Sequence, residues 1–252
     1  MEIQQQIRFI VEEYDAMMTC LRNTVCARSK SKPTSWYERK RKLGLLRHDL
    51  TKDLVKTSSG NPVVYKYDGD FPDAFVGIQD IKLCGSRVWL HGFSDDCVLE
   101  RLWANPMFYL SKIPPESGMT TPDFSMTLDM EEVEMKMNLN LNLFRRNALS
   151  QIAQNMGINV IPGLNWGGYK SLDFAFDGIE SGGIYAISNI GVNVDYMSRK
   201  MFRVGFLEAV RVLHPKGLVL YGYPMEDYCG VETRVYPNEN IKRLRKLKRR
   251  RS

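Results

Sequence analysis

The sequence predicts an α/β fold: a mainly parallel sheet built from repeated βα units, preceded by an N-terminal helical hairpin. Short, nearly continuous apolar runs such as IYAIS and GLVLY are typical of strands that helices cover on both faces. These runs alternate with helical stretches, and a strand–helix–strand order places neighbouring strands in parallel. The pattern suits either an open doubly wound sheet or a partial β/α barrel, and we favour the barrel-like arrangement.

Composition supports a globular protein with a sizeable core, because 44% of the 252 residues are apolar and 25% are charged. No apolar run approaches the roughly 18 residues that cross a bilayer. The start, MEIQQQIRFIVEEYD, lacks the basic and then apolar pattern of a signal peptide. The five cysteines are scattered without a CxxC pair, which favours a reducing compartment. We therefore expect a cytoplasmic protein with no membrane partner.

The first predicted unit, residues 1–56, is a basic helical hairpin. Apolar residues recur every three or four positions from Ile3 to Leu21, which predicts a helix over about residues 2–24. Ser35 and Glu38 form a capping box for a second helix from about Trp36, which the leucines up to Leu54 continue. The short connection favours an antiparallel pair. The same apolar stripe would suit a coiled coil, so self-association through the hairpin stays open.

The second unit, residues 57–241, is the predicted α/β body. Its connector contains SSGNP and DGDFPD around the strand-like VVYKY. Three helical stretches follow among the strands: CVLERLWANPMFYLSK, a long segment that ends near Asn155, and DYMSRKMFRVGFLEAVRVLH. Five strand-containing runs alternate with them, namely RVWLHGF, GMTTPDFSM, INVIPGLNW, GGIYAISNIG and GLVLYGYP. Adding VVYKY and VGIQDI would give most of a barrel.

Charge is divided unevenly along the chain. Residues 1–56 hold 12 basic and 7 acidic residues (+5), residues 57–241 hold 15 and 22 (−7), and residues 242–252 hold 8 and none (+8). An acidic body between basic ends indicates a polyanionic partner, which we expect to be nucleic acid bound without sequence preference. The predicted contacts are Arg39, Lys40, Arg41, Lys42, Lys242, Arg243, Arg245, Lys246, Lys248, Arg249, Arg250 and Arg251.

Both basic ends have simpler interpretations. The tail of residues 242–252, expected to be disordered on its own, would also serve as a solubilising extension or a localisation signal. The basic face of the hairpin would equally be a solvated surface. Contact with a phosphate backbone is favoured for the tail, because no acidic residue offsets its eight charges.

Small polar and aromatic side chains follow the predicted strands and should meet at the carboxyl edge of the sheet, where α/β proteins bind ligands. The predicted ligand-binding residues of this pocket are Ser125, Asn165, Trp166, Ser188 and Tyr221. Trp166 would stack on a base or sugar, or equally cap the core.

Three residues are the predicted catalytic groups: Asp123, Asp96 and His91. Asp123 follows a strand without opening a helix, so it pairs with Asp96 or Glu100 either to hold Mg²⁺ or to divide acid and base roles. Asp96, beside Asp95, also suits a helix start, where capping is the default role. His91 would act as an acid or base, although a structural histidine is the more frequent case. The sequence contains no P-loop, GxSxG or HExxH motif.

Several motifs in the same order resemble the domain-of-unknown-function family 4417 of bacteria and their phages. They are FSDDCVLERLWANP, TPDFSM, the Asn142–Arg145 stretch, GINVIPGLNW, SLDFAFDGIESGGIYAISNIGV and LYGYP, over roughly residues 88–224. The resemblance implies a bacterial or phage origin and a cytoplasmic location, and it brings no established reaction.

These observations predict a phage- or mobile-element-type protein that binds nucleic acid through its basic ends and carries a strand-end pocket. If the pocket is catalytic, we expect a metal-dependent hydrolase or transferase that acts on a phosphate or nucleotide. The alternative is a non-catalytic, replication-associated or accessory DNA-binding protein.

Overall fold

A computed structural model of the chain describes residues 47–125, 132–192 and 196–238. The predicted hairpin up to residue 46 and the tail of residues 242–252 lie outside the described residues. The described residues form seven strands: β1 (Ala74–Val76), β2 (Val88–Leu90), β3 (Gly118–Thr120), β4 (Asn159–Ile161), β5 (Ile184–Ser188), β6 (Gly217–Tyr221) and β7 (Glu232–Tyr236). The α-helices are α1 (His48–Thr51), α2 (Asp96–Ala104), α3 (Pro106–Leu110), α4 (Glu132–Asn155) and α5 (Tyr196–Leu213). Among these described elements no helix has the length and apolar character to cross a membrane.

All of the strands pair in parallel, as the sequence predicts. One sheet has the order β1-β2-β3-β4 and a second has the order β5-β6-β7. A parallel bridge between Gly163 and Ala186 joins them just beyond the end of β4. The Leu164 amide donates to the Ala186 carbonyl and the Ala186 amide to the Pro162 carbonyl, each at 2.8 Å. The seven strands therefore follow one another in chain order.

The strands curve so that the first and the last come together. The rings of Phe75 in β1 and Tyr236 in β7 lie 4.8 Å apart, edge to face. A flat sheet would separate its first and seventh strands by nearly 30 Å, at about 4.8 Å for each step. The Tyr236 hydroxyl donates to the Pro72 carbonyl, but no ladder joins β7 to β1 among the described residues. The sheet thus forms an incomplete barrel rather than a closed one.

Side chains from six strands fill the concave side of this sheet. This cluster consists of Phe75, Trp89, Ile161, Ile184, Ala186, Val219, Tyr221 and Tyr236. A second cluster packs α2 to α4 against the outer face of β2 to β4, and a third packs α5 against β5 and β6. Because both faces are covered, every residue of β6 is buried, which explains its unbroken apolar sequence.

The five strand-containing runs predicted from the sequence each contain a strand, and the three helical stretches contain α2 to α5. Two edge strands, β1 and β7, were not predicted at their observed positions. VGIQDI contributes Val76 to β1 and then enters a 3₁₀ helix, Ile78–Leu83. VVYKY forms isolated bridges from Val64 to Ile179 and from Tyr67 to Ile184.

The segment that precedes β1 is held against α4 by two glutamine side chains. The Gln151 amide accepts from the Val55 amide at 2.7 Å and donates to the carbonyls of Val55 and Val63. One turn further on, the Gln154 side chain accepts from the Tyr65 amide and donates to the Tyr65 carbonyl. These side chains satisfy backbone groups that would otherwise need a neighbouring strand.

Two buried threonines fasten the carboxyl end of β3 to the neighbouring strands. The Gly92 amide, after β2, donates to the Thr120 hydroxyl at 2.8 Å, and the Gly163 amide, after β4, donates to the Thr121 hydroxyl at 2.6 Å. Neither glycine has room for a side chain, since a Cβ on Gly92 would lie 2.0 Å from the Thr121 carbonyl oxygen. The residues that follow β3 are therefore fixed in position.

A Gly92→Ala substitution should lower the free energy of unfolding by about 3 kcal/mol, because the new methyl group meets backbone atoms that cannot rotate away. Chemical denaturation followed by circular dichroism measures this change. Gly85→Ala is the matched control, since a Cβ at Gly85 meets no atom within 4 Å and should change stability little. Equal stability of the two variants would contradict the close packing at the end of β3.

Candidate functional site

Two predicted site residues meet where β3 and β4 end. Asp123 lies three residues beyond β3 and Asn165 four residues beyond β4. The Asn165 side-chain amide donates to Asp123 Oδ1 at 2.8 Å. The backbone also holds Asp123, because its amide donates to the Gly92 carbonyl at 3.0 Å. The Asp123 carboxyl group is therefore anchored at the carboxyl edge of three adjacent strands.

A buried arginine that the sequence analysis did not select supports Asn165. Arg146 of α4 has 1% of its surface exposed. Its guanidinium donates to Asn165 Oδ1 at 2.7 Å, to Asn147 Oδ1 at 2.9 Å and to the Ala175 carbonyl at 3.2 Å. Asn165 thus accepts from Arg146 and donates to Asp123, and a continuous Arg146–Asn165–Asp123 chain of hydrogen bonds results. Asn165 therefore holds the Asp123 carboxyl group in position.

The surroundings of Asp123 change its proton affinity. The pKa of Asp123 is raised from 3.8 to about 6, mainly by burial and also by the nearby Asp96 carboxylate, against the lowering effects of the Asn165 hydrogen bond and the Arg146 charge. A carboxyl group with this pKa exchanges a proton near neutral pH, as a general acid or base must. Burial also lowers the pKa of Arg146 to about 10, so Arg146 stays positively charged at neutral pH.

Asp96 lies close to this group from the other side. It is the first residue of α2, and its Oδ1 accepts from the Ser125 amide at 2.9 Å. The Ser125 carbonyl in turn accepts from the Asn142 side chain of α4 at 2.9 Å. The Asp95 side chain, at the N-cap position of α2, makes no capping hydrogen bond. Asp96 therefore ties the start of α2 to the loop that carries Asp123.

The predicted Mg²⁺ site remains a prediction. Among the described residues, no three His, Cys, Asp or Glu side chains lie close enough together to hold a metal ion. Asp96 and Asp123 supply two carboxylates, and Mg²⁺ commonly uses one or two carboxylates together with substrate phosphates and water. Asp96 and Asp123 match that number of carboxylates.

His91 and Tyr221 form a second group at the same edge of the sheet. His91 Nε2 lies 3.3 Å from the Tyr221 hydroxyl, and the two rings are 4.7 Å apart. Phe93 stacks on Tyr221 at 5.1 Å. Asn189 exchanges two hydrogen bonds with the backbone of Tyr223, which fixes the loops after β5 and β6. His91 is buried among these aromatic rings.

The two remaining predicted ligand-binding residues have local structural contacts. The Trp166 indole donates to the Met201 carbonyl at 3.2 Å and packs against Phe176 and the tilted ring of Phe202. Trp166 thus packs against the cluster between α5 and the strands β5 and β6. The Ser188 hydroxyl accepts from the Ile190 amide at 3.3 Å, in the turn after β5.

Arg145 is a second arginine that the sequence analysis did not select as a site residue. Its guanidinium carbon lies 4.0 Å from the Phe124 ring centre and 5.5 Å from that of Trp103. Arg145 Nη2 lies 2.5 Å from Glu100 Oε1 in α2. Arg145 and Arg146 are adjacent charges in an otherwise buried stretch of α4, and the local sequence gives no signal that they turn inward. Buried arginines are nearly always paired, and these two turn to different partners, Arg146 to Asn165 and Arg145 to Glu100.

A cavity of about 420 Å³ lies at the opposite, amino-terminal edge of the strands. Its lining includes Arg87, Lys216 and Arg234. Arg87 is ion-paired with Asp73, Lys216 donates to the Asp68 carbonyl, and Arg234 donates to backbone carbonyls of the connector before β1. These three cationic side chains are thus occupied within the protein. The predicted pocket at the carboxyl edge stays a prediction, and the twelve predicted nucleic-acid contacts lie outside the described residues.

The raised pKa of Asp123 predicts a specific pH dependence of stability. Because the folded protein holds this proton more tightly than the unfolded chain, Asp123 should reduce stability as pH rises from about 4 to about 6. Asp123→Asn removes this dependence while keeping an acceptor for Asn165. The stability of Asp123→Asn relative to the unsubstituted protein should therefore increase by up to about 3 kcal/mol between pH 4 and pH 7.

Urea denaturation across this pH range measures the difference, and the ¹³C carboxyl resonance of Asp123 should titrate near pH 6. Asp173→Asn, at an exposed aspartate, is the control and should not reproduce the change. A titration midpoint near 4 would contradict the environment described for Asp123.

Comparison with known proteins agrees with the resemblance found in the sequence. Residues 73–235, which run from just before β1 almost to the end of β7, match the family described as Domain of unknown function (DUF4417). The chain is 32% identical over 150 residues to the Gene 1 protein of Mycobacterium phage L5, covering 59% of this chain and 64% of that protein. It is also 32% identical over 133 residues to the Gene 1 protein of Mycobacterium phage D29, covering 53% and 48%.

The match therefore spans about two thirds of one of these phage proteins and about half of the other. No solved structure matches this chain. The family match includes Asp96, Asp123, Arg145, Arg146 and Asn165, so the whole candidate site falls within it. Since the match covers more than half of the sequence, the chain belongs to the DUF4417 family.

Proposed function

We propose that this protein is an enzyme that hydrolyses or transfers a phosphate-linked group, with Asp123 as its proton-transferring residue. The observation that carries the proposal is the Arg146–Asn165–Asp123 chain, which holds a carboxyl group of raised pKa at the carboxyl edge of a parallel sheet. Active sites of α/β proteins form at this edge. Structural carboxylates are more often ion-paired at the surface with a lowered pKa, as Asp73 and Asp227 are here.

In the proposed reaction Asp123 takes a proton from the attacking water or hydroxyl, or gives one to the leaving oxygen. Asn165 keeps Asp123 Oδ1 occupied, so the second carboxyl oxygen is left to exchange the proton. Asp96 is the second carboxylate, and its negative charge helps Asp123 to retain a proton. If Mg²⁺ accompanies the substrate, Asp96 and Asp123 would instead be its protein ligands, and the metal ion would polarise a phosphoryl oxygen in place of proton transfer by Asp123.

The proposed partner is nucleic acid, held through the basic ends without sequence preference. Residues 1–56 and 242–252 carry net charges of +5 and +8, whereas residues 57–241 carry −7. Each phosphate that a basic side chain neutralises releases a condensed counterion, so clustered positive charge binds polyanions strongly at low salt. In this proposal the ends hold the polymer and Asp123 acts on a phosphate or nucleotide. A homodimer through the hairpin would double the number of basic ends.

Activity assays of the full chain test the role of Asp123. The substrates are bis(4-nitrophenyl) phosphate, nucleotides, and single- and double-stranded DNA, each with and without Mg²⁺ or Mn²⁺. Asp123→Asn should lower the turnover rate by a factor of about 10² to 10⁴, which is the usual contribution of general acid–base catalysis. The exposed Asp173→Asn should retain full activity. Absence of activity in every assay, with DNA binding intact, would favour the non-catalytic accessory role.

A salt titration tests the role of the tail. Replacing its eight basic residues with glutamine should reduce the slope of log affinity for double-stranded DNA against log salt concentration by up to about 7. A tail of the same composition in scrambled order is the matched control, and it should bind as the original does because non-specific contacts depend on charge alone. An unchanged slope in the glutamine variant would show that the tail does not contact DNA.

A further inference from the structure

Arg145 presents a buried hydrogen-bonding edge beside the candidate site. Its side chain is 7% exposed. The Nε and Nη2 atoms make no hydrogen bond to any residue that the structure describes. Buried polar hydrogens without partners are costly, and the cost is greatest for a charged group. In arginine, Nε and Nη2 form one straight edge whose two N–H groups point the same way, which matches two oxygens of one anion.

The neighbours of Arg145 cover the flat face of its guanidinium. They leave the Nε–Nη2 edge for a ligand. The Phe124 ring covers the guanidinium at 4.0 Å and Trp103 approaches at 5.5 Å. Phe124 directly follows Asp123, so the two side chains come from one short loop. One helical turn before Arg145, Asn142 donates to the carbonyl of Ser125 in that same loop. Arg145 is therefore fixed next to the loop that carries the proposed catalytic residue.

Glu100 is the described group that meets Arg145 with the opposite charge. Its Oε1 lies 2.5 Å from Nη2, yet this contact lacks the alignment of a hydrogen bond. The Glu100 side chain is 56% exposed, whereas that of Arg145 is almost fully buried. Glu100 contacts the guanidinium through one oxygen and has more than half of its side chain in water, so an anion that aligns two oxygens with the Nε–Nη2 edge can displace it. Glu100 thus occupies a position that a ligand can take.

We propose that the Nε–Nη2 edge of Arg145 binds a phosphate group of the substrate, which displaces the Glu100 carboxylate. This inference rests on the proposed function for its choice of phosphate among two-oxygen anions. The bound phosphate would receive two parallel charge-assisted hydrogen bonds from a guanidinium that Phe124 holds in place. Arg145 then selects and orients the phosphate, and Asp123 transfers the proton.

The test measures the binding of inorganic phosphate to the full chain by isothermal titration calorimetry. Arg145→Gln should weaken binding by about tenfold or more, because both hydrogen bonds and the charge are lost. Arg145→Lys should give an intermediate loss, since the ammonium group keeps the charge but lacks the paired edge. Glu100→Gln should strengthen binding by a few fold, because it removes the competing negative charge. Arg211→Gln, at an exposed arginine on α5, is the control and should change nothing.

The opposite responses of Arg145 and Glu100 separate this proposal from a purely structural ion pair. If the pair only stabilises the fold, Glu100→Gln will leave phosphate affinity unchanged or weaken it, and the proposal is wrong. Circular dichroism shows whether Arg145→Gln folds. If it does not fold, the Glu100→Gln and Arg145→Lys variants still distinguish phosphate binding from a purely structural ion pair. Phosphate held on the basic tail would not respond to Glu100→Gln.

Further probes identify the anion and separate this inference from the proposed function. Thymidine 5′-monophosphate should compete with inorganic phosphate, whereas succinate should not. If succinate binds and inorganic phosphate does not, the assignment to phosphate is wrong. Asp123→Asn should still bind phosphate. If phosphate binds and responds to Arg145 and Glu100 while Asp123→Asn keeps full activity, the catalytic role of Asp123 fails and the phosphate site stands. If Asp123 titrates near 6 but phosphate does not bind, only the phosphate site fails.

Discussion

The buried positive charge of Arg146 is the constraint on which the site and much of the surrounding chain depend. A guanidinium that has lost contact with water must have its hydrogen-bond donors satisfied by the protein. Arg146 meets this need with Asn165, Asn147 and the Ala175 carbonyl. Asn147 extends this hydrogen-bond network, because its side-chain amide donates to the carbonyls of Pro62 and Asp177. One charge in the middle of α4 therefore fixes the loop after β4 and the connector before β1.

The Asp177 side chain extends the same network to the surface. Its carboxylate accepts from Thr57, Ser59 and Asn61, so the SSGN turn wraps around one acceptor. Asp177 and Asp123 both help to keep Arg146 charged, from opposite ends of the network. The pKa of Asp123 is raised, because its burial outweighs the attraction of Arg146 and the hydrogen bond from Asn165. The protein thus uses one arginine to hold two carboxyl groups of different character.

Sequence reasoning predicted the parallel architecture well because it depends on patterns that are local. The apolar runs of β2 to β6 and the periodicity of the helices can be recognised within windows of a few residues. The strand β7 was not predicted because ETRVY alternates between more exposed and more buried residues, as an edge strand does. The strands that were predicted have continuous apolar runs. The strand β1 has only three residues and no signal of its own.

The candidate site was predicted in part for the same reason. Asp123 and Asn165 follow strands, so the rule about carboxyl edges places them together. Arg145 and Arg146 lie in the middle of a long helix, and nothing in the local sequence tells which helical charges turn inward. Their partners, Glu100 and Asn165, are 45 and 19 residues away in the chain. Such contacts become visible only when the strands and helices are assembled.

Side chains, rather than a backbone ladder, hold β7 against β1 in the described part of the chain. A ladder is insensitive to residue type, since every residue except proline supplies the same amide and carbonyl groups. Between β7 and β1 the contact depends instead on two side chains. The Tyr236 phenol donates to the Pro72 carbonyl, and the Arg234 guanidinium donates to the carbonyls of Phe71 and Pro72. Without the Tyr236 phenol, β1 and β7 would lose a contact that keeps them together, and two strand edges that no ladder pairs could each accept a strand from another polypeptide.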